Sequence, residues 1–196
     1  MTPEPARTGE LWAEAEIRRV LLRYARGIDR LDLDLVRSCY HPDATDSHGS
    51  FEGTVDEFVT WVERVLRRYD LTMHFLGSPL IELVPAPGAD GPSGAAVAAV
   101  AAVAAVETYG MAFHRAADGP PERNLVTGFR FLDRFECRDD QWRIARRVAT
   151  TEWSRVDRAD DWWPVPDGML QGRRDRTDPV YDLLADVDPG PPDESQ

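Results

Sequence analysis

Between positions 41 and 48 the chain places His41, Asp43, Asp46 and His48, each with an atom that can ligate a metal or move a proton. Read as a strand, this stretch puts Asp46 and His48 on one face and leaves Asp43 in a turn. The spacing matches no recognised metal motif, so no metal is expected. The other histidines are His74 and His114. Taken alone, His74 reads most simply as a core histidine bonded to backbone, and Asp29 as a helix-terminal carboxylate. Nothing resembles a phosphate-binding glycine loop, a dinucleotide fingerprint, a zinc signature or a nucleophile elbow, so no cofactor is expected. Cys39 and Cys137 are far apart and read as free thiols of a reducing, cytoplasmic compartment.

A chain of 196 residues suffices for one domain with extensions. Its formal charge of −12 argues against nucleic acid and anionic membranes, both of which select basic surfaces. Part of the excess lies between Asp182 and Glu194. The N-terminus lacks the pattern of a signal peptide, and the longest apolar run, Ala95 to Val106, is too short and too alanine-rich to span a bilayer.

The elements that must position any chemistry come in two blocks. From Leu11 to Ile28, residues Ile17, Val20, Leu21, Tyr24 and Ile28 recur at helical spacing, and Gly27 suggests the end of that helix. Asp32 is placed to cap a short second helix through Ser38. Thr54 and Glu57 form a capping-box pair that opens a third. Thereafter the grammar is that of strands. Leu71 to Val84 reads as one or two, Pro85 to Gly94 as a loop, and Leu125 to Cys137 as a strand. Asp139-Asp140 is a hairpin turn into Gln141 to Trp153. Ala95 to Val106 has helical propensity by composition. Helices first and strands afterwards indicate an α+β fold.

Several segments are similar to those of SnoaL-like proteins of the nuclear-transport-factor-2-like superfamily. Arg23 to Arg30 resembles the end of their first helix, and Tyr40 to Gly49 the entry to their first strand. Met73-His74-Phe75-Leu76-Gly77 resembles their strand-borne His-Phe-aliphatic-Gly motif, and Val106 to Tyr109, Gly128 to Glu136 and Trp142 to Ile144 resemble their later strands. The resemblance runs from about Glu14 to Trp153. It implies a cone-shaped, curved mixed or antiparallel sheet wrapped by three N-terminal helices, a cystatin-like α+β barrel, and turns Ala95 to Val106 into a strand. The expected organisation is a flexible N-terminus over 1–10, one domain over 11–153, and an irregular extension over 154–196 with a disordered acidic tip.

Within the superfamily the motifs are most similar to scytalone dehydratase and the bile-acid dehydratases. That similarity implies a hydrogen-bonded pair of Asp29 and His74 facing a small-molecule pocket, with Tyr24 as a third catalytic group. It further implies substrate contacts from His48, His114 and Arg130, and Tyr109 shares a strand face with Glu107 that could line the same pocket. Asp133, Arg134, Glu136, Arg143, Arg146 and Arg147 read instead as cross-strand ion pairs on a solvated face. The implied activity is a lyase acting on a small apolar β-hydroxy carbonyl compound without a cofactor. An isomerase, a cyclase or a non-catalytic accessory subunit would use the same pocket. An epoxide hydrolase would need an Asp–Arg–Asp arrangement that Asp29, Arg130 and Asp46 do not readily make. Relatives form dimers or trimers, so a homo-oligomer is expected.

Overall fold

The computed structural model describes residues 4–84, 103–116, 123–158, 161–162 and 165–187, with side chains from residue 8 onward. Helix α1 spans Glu4–Arg30 and buries Ala13, Ile17, Val20, Leu21, Tyr24 and Ile28 along one stripe. It starts ahead of the expected Leu11. Pro5 sits in its first turn, where a missing N–H costs no helical hydrogen bond. Nor does the helix stop at Gly27. That glycine answers a close approach instead, because a Cβ there would lie 2.7 Å from Val36 Cγ2. Leu31, with φ of 53°, turns the chain after Arg30.

Helix α2 (Leu33–Ser38) is capped by Asp32, whose side chain accepts from the Leu35 amide at 3.2 Å. Helix α3 (Val55–Leu66) carries the complete Thr54/Glu57 capping box. Both helix starts agree with the sequence reading.

The strands are β1 (Tyr40–His48), β2 (Phe51–Thr54), β3 (Tyr69–Leu76), β4 (Leu80–Val84), β5 (Val103–Ala116), β6 (Arg123–Arg138) and β7 (Gln141–Arg158). They form one curved sheet in the order β2-β1-β7-β6-β5-β3, with β4 also on β5. Strands β1 and β7 run parallel and every other pair is antiparallel, so the sheet is mixed. Asp139 and Asp140 take φ of 51° and 59°, the left-handed pair that a two-residue hairpin turn requires. The expected strand over Ala95 to Val106 is present from Val103; residues 95–102, like the loop over 85–94, lie outside the described residues.

Pairing between β6 and β7 slips by one residue between Arg134↔Arg146 and Phe135↔Ile144, so Ala145 is an extra residue in β7. Before it Trp142 and Ile144 point to the core, and after it Arg147 does. The three helices pack on the inner sheet face against Tyr40, Phe131, Phe135 and Ile144.

Strand β7 continues to Arg158, past the expected domain end, and a fourth helix, α4 (Pro179–Val187), follows. The segment leading into α4 is tied to the end of α1. Arg30 Nε meets Asp178 at 3.0 Å, and the Tyr181 hydroxyl donates to Asp32 at 3.1 Å. Residues 188–196, the acidic tip, are outside the described set. Among the described residues no helix is long and apolar enough to cross a membrane.

Candidate active site

Asp29 lies in the last turn of α1 and His74 on β3, against which α1 packs. The carboxylate is used twice. Oδ1 is 2.7 Å from His74 Nδ1, and Oδ2 accepts the His74 backbone N–H at 2.9 Å. An ionised carboxylate only accepts, so Nδ1 carries the proton and Nε2 of the neutral ring is left as a base. Both side chains are nearly buried, which strengthens the contact.

A cavity of about 200 Å³ opens beside this pair, and His74, His114, His48, Tyr24, Trp61 and Phe129 are among the residues on its wall. Tyr24 is buried between Tyr40 and Phe131 in edge-on ring contacts. Burial pushes its phenol above the ordinary value, so it remains protonated and able to donate. His114 Nδ1 is 3.3 Å from Thr72 Oγ1, and its ring packs on Tyr69 at 4.8 Å. Burial, helped by His74 when it is protonated, by the Arg174 guanidinium and by His48 when it is protonated, lowers its pKa to about 3. His114 is therefore neutral near pH 7. His48 stacks on Phe58 at 5.5 Å, and its Nδ1 faces Asp46 Oδ1 at 3.5 Å.

The cavity thus unites His74, Tyr24, His48 and His114, with Asp29 joined to it through His74. Two expected residues are elsewhere. Tyr109 is 59% exposed on the outer sheet face. Arg130 lies over its ring and pairs with Glu107 at 2.7 Å and Glu152 at 2.8 Å. The cause is strand alternation. Ala112 and His114 face inward on β5, so Tyr109 faces outward. On β6 Phe129 and Phe131 take the inner positions, so Arg130 is turned away. His41 and Asp43 also leave the site: His41 Nε2 meets the Glu136 carbonyl at 2.9 Å, and Asp43 pairs with Arg138 at 2.6 Å.

Beneath the cavity sits a charged pair that the sequence reading placed on a solvated face. Arg147 donates from Nε and Nη2 to the two oxygens of Asp133 at 2.8 and 2.7 Å, with both side chains fully buried. Its guanidinium sits in the corner between the perpendicular rings of Phe131, at 3.8 Å, and Tyr24, at 4.2 Å. Burial raises the Asp133 carboxyl against the pull of Arg147. Although burial opposes the charge on Arg147, Asp133 and the tyrosines hold the guanidinium protonated. Nearby, Asp46 accepts from the Tyr40 hydroxyl at 2.7 Å. A carboxylate in phase with Phe129, Phe131 and Phe135 is the signal that marked Asp133 as internal.

A family model described as a SnoaL-like domain matches residues 9–148. The chain belongs to the SnoaL-like family. Solved structures share the SnoaL-like fold at low identity. A scytalone dehydratase-like protein of Novosphingobium aromaticivorans is 18% identical, with a TM-score of 0.62 over 84% of this chain and 99% of its own. A hexachlorocyclohexane dehydrochlorinase of Novosphingobium barchaimii is 14% identical, with a TM-score of 0.64 over 81% of this chain and 98% of its own. A Mycobacterium tuberculosis protein of unknown function is 19% identical, with a TM-score of 0.55 over 73% of this chain and 74% of its own. A search of curated proteins finds no significant match.

Proposed function

We propose that this SnoaL-like protein is a lyase that needs no cofactor and removes water from a small, largely apolar β-hydroxy carbonyl compound. The double grip of Asp29 on His74 carries the reading, because it fixes the tautomer of a cavity-facing imidazole. His74 Nε2 takes the proton next to the carbonyl, and the C–H electrons move toward the carbonyl oxygen. Tyr24 donates to that oxygen as charge gathers on it, and His48 is a second donor on the same cavity. The imidazolium then returns its proton to the departing hydroxyl as the C–O bond breaks, leaving an alkene and water. Neighbours in fold named as a dehydratase and a dehydrochlorinase, both elimination catalysts by name, are consistent with this reading. A double-bond isomerase or cyclase would use the same base and donors on a substrate without a leaving group. The chain would work in the cytoplasm, as a homo-oligomer.

The test is nitrogen-15 NMR of the imidazoles together with a screen of β-hydroxy ketones and acids for alkene formation. The expected result is a strongly hydrogen-bonded Nδ1 proton on His74 that is lost in Asp29→Asn, with turnover lost in His74→Gln. If His74 shows mixed tautomers that ignore the Asp29 change, the pair is not formed. A non-catalytic binding role would then replace the dehydratase reading.

A further inference from the structure

A row of alternating charges crosses three strands behind the cavity. Asp46 on β1 stands in register with Arg147 on β7, and Arg147 with Asp133 on β6. All three side chains are buried. Arg147 gives Nε and Nη2 to Asp133, so two carboxylates share one guanidinium and the charge of Asp46 is in surplus. Asp46 Oδ2 accepts from the Tyr40 hydroxyl at 2.7 Å. Its Oδ1 is buried with no hydrogen-bond partner among the described residues.

His48 follows two residues further along β1, on the same face. Its Nδ1 is also buried without a hydrogen-bond partner, and it lies 3.5 Å from Asp46 Oδ1. The two unanswered atoms face one another at the long separation that acid–base pairs show before a substrate tightens them. A carboxylate only accepts, so Nδ1 carries the N–H of this contact. The ring itself is part of the cavity wall. Strands β7, β6 and β5 separate β1 from β3, so His48 and His74 reach the cavity from different sides of the cone. With one proton, on Nδ1, the His48 ring offers the cavity an acceptor at Nε2; with two it offers a charged donor. The second form cancels the surplus charge of the buried row and answers an oxyanion forming in the cavity. The other groups around His48 do not compete for that role. Phe58, Trp61 and Phe131 surround its ring, Tyr24 is a protonated phenol, and His114 is neutral near pH 7. Asp133 is committed to Arg147, and Asp29 to His74.

We propose that Asp46 is a positioning residue that holds the Nδ1–H of His48, so that His48 meets the carbonyl oxygen of the substrate as an imidazolium, through Nε2–H. The proposal rests on the dehydratase reading and deepens it. His74 removes the proton, and the charge that moves to the carbonyl oxygen is met by a cation as well as by the Tyr24 hydroxyl. The Nε2 proton stays on His48 throughout, and its hydrogen bond strengthens as the oxygen gains enolate character. A cavity so arranged prefers a planar compound carrying an oxyanion to an uncharged one of the same shape.

The test uses the full chain with pentafluorophenol, an acidic phenol that is ionised at neutral pH and whose oxygen imitates an enolate, beside uncharged hexafluorobenzene. A single ring suits a cavity of about 200 Å³, since about 150 Å³ holds benzene. Fluorine-19 NMR reads affinity, and nitrogen-15 NMR reads the protons on the two ring nitrogens of His48. The expected result is a His48 ring protonated at both nitrogens in the phenolate complex, with the phenolate bound about 10-fold tighter or more than hexafluorobenzene. In Asp46→Asn the amide oxygen keeps the Tyr40 hydroxyl and the NH2 faces Nδ1, which makes His48 a neutral Nε2–H donor. Phenolate affinity should then fall about 10-fold while hexafluorobenzene affinity holds. A purely structural role for Asp46 would weaken both ligands alike. A His48 ring protonated at one nitrogen in the wild-type complex, a phenolate preference unchanged in Asp46→Asn, or no saturable phenolate binding each overturns the proposal. The wild-type spectra need no variant, so misfolding of Asp46→Asn leaves the test intact. The His74 Nδ1 signal is scored separately. Its absence alongside a doubly protonated His48 would remove the dehydratase reading and leave the Asp46–His48 pair standing as an oxyanion site.

Discussion

Arg147 and Asp133 meet in a two-pronged ion pair across β6 and β7, with neither side chain reaching solvent. The pair backs the cavity wall, holding a charged plane against the rings of Tyr24 and Phe131, which line it. Its burial also sets how the protein fails when it is broken.

Asp133→Asn should destabilise the fold by about 3–5 kcal/mol, because it leaves a buried guanidinium without its counter-charge. The double change Asp133→Leu, Arg147→Met should recover most of that loss. Urea unfolding of the three proteins measures both quantities.

His114 gives the stability a defined acid slope. Its folded pKa of about 3 lies below the ordinary 6.5, so the unfolded chain takes up a proton that the folded one refuses. Stability is unaffected by this group above pH 6.5 and falls as the pH drops from there toward 3. At pH 5 the loss is about 2 kcal/mol. His114→Gln should therefore lose less stability than the wild type between pH 7.5 and 5. Denaturant midpoints at the two pH values supply the comparison.

Tyr24→Phe keeps the ring that packs on Tyr40 and Phe131 and removes only the donor. Turnover of a β-hydroxy carbonyl substrate should fall on the order of 10²-fold with little change in melting temperature. An unchanged rate would show that the hydroxyl does not touch the reacting carbonyl.

Arg130→Gln should leave turnover as it is, because the side chain is spent on Glu107 and Glu152 outside the cone. A steady-state assay beside the wild type decides this. A large loss of rate would mean that the outer face communicates with the cavity.

Local signals were legible wherever the neighbours in sequence are also the neighbours in space. Asp32 and the Thr54/Glu57 box cap their helices as read, and Asp139-Asp140 makes the turn it promised. The core of the site, Asp29 with His74, came from matching motif positions; no spacing rule brings an α1 terminus to the middle of β3. Strand parity could have excluded one error. His114 and Tyr109 are five positions apart on β5 and so cannot face the same side of it. Parity could not have found Arg147. The extra residue at Ala145 shifts the phase of β7, and a bulge leaves no mark in composition. The docking of the C-terminal segment was hidden for another reason: it depends on contacts between residue 178 and residue 30, and between residue 181 and residue 32.

Those contacts have a wider meaning for how such a protein can be rebuilt. The last turn of α1 carries Asp29, and the next three positions supply Arg30 and Asp32, the residues that receive the C-terminal segment. The extension is a cassette, and its docking code is written beside the catalytic carboxylate. Grafting it onto a relative that ends near the family boundary would carry α4 with it, provided the recipient's first helix ends in the same two receptors.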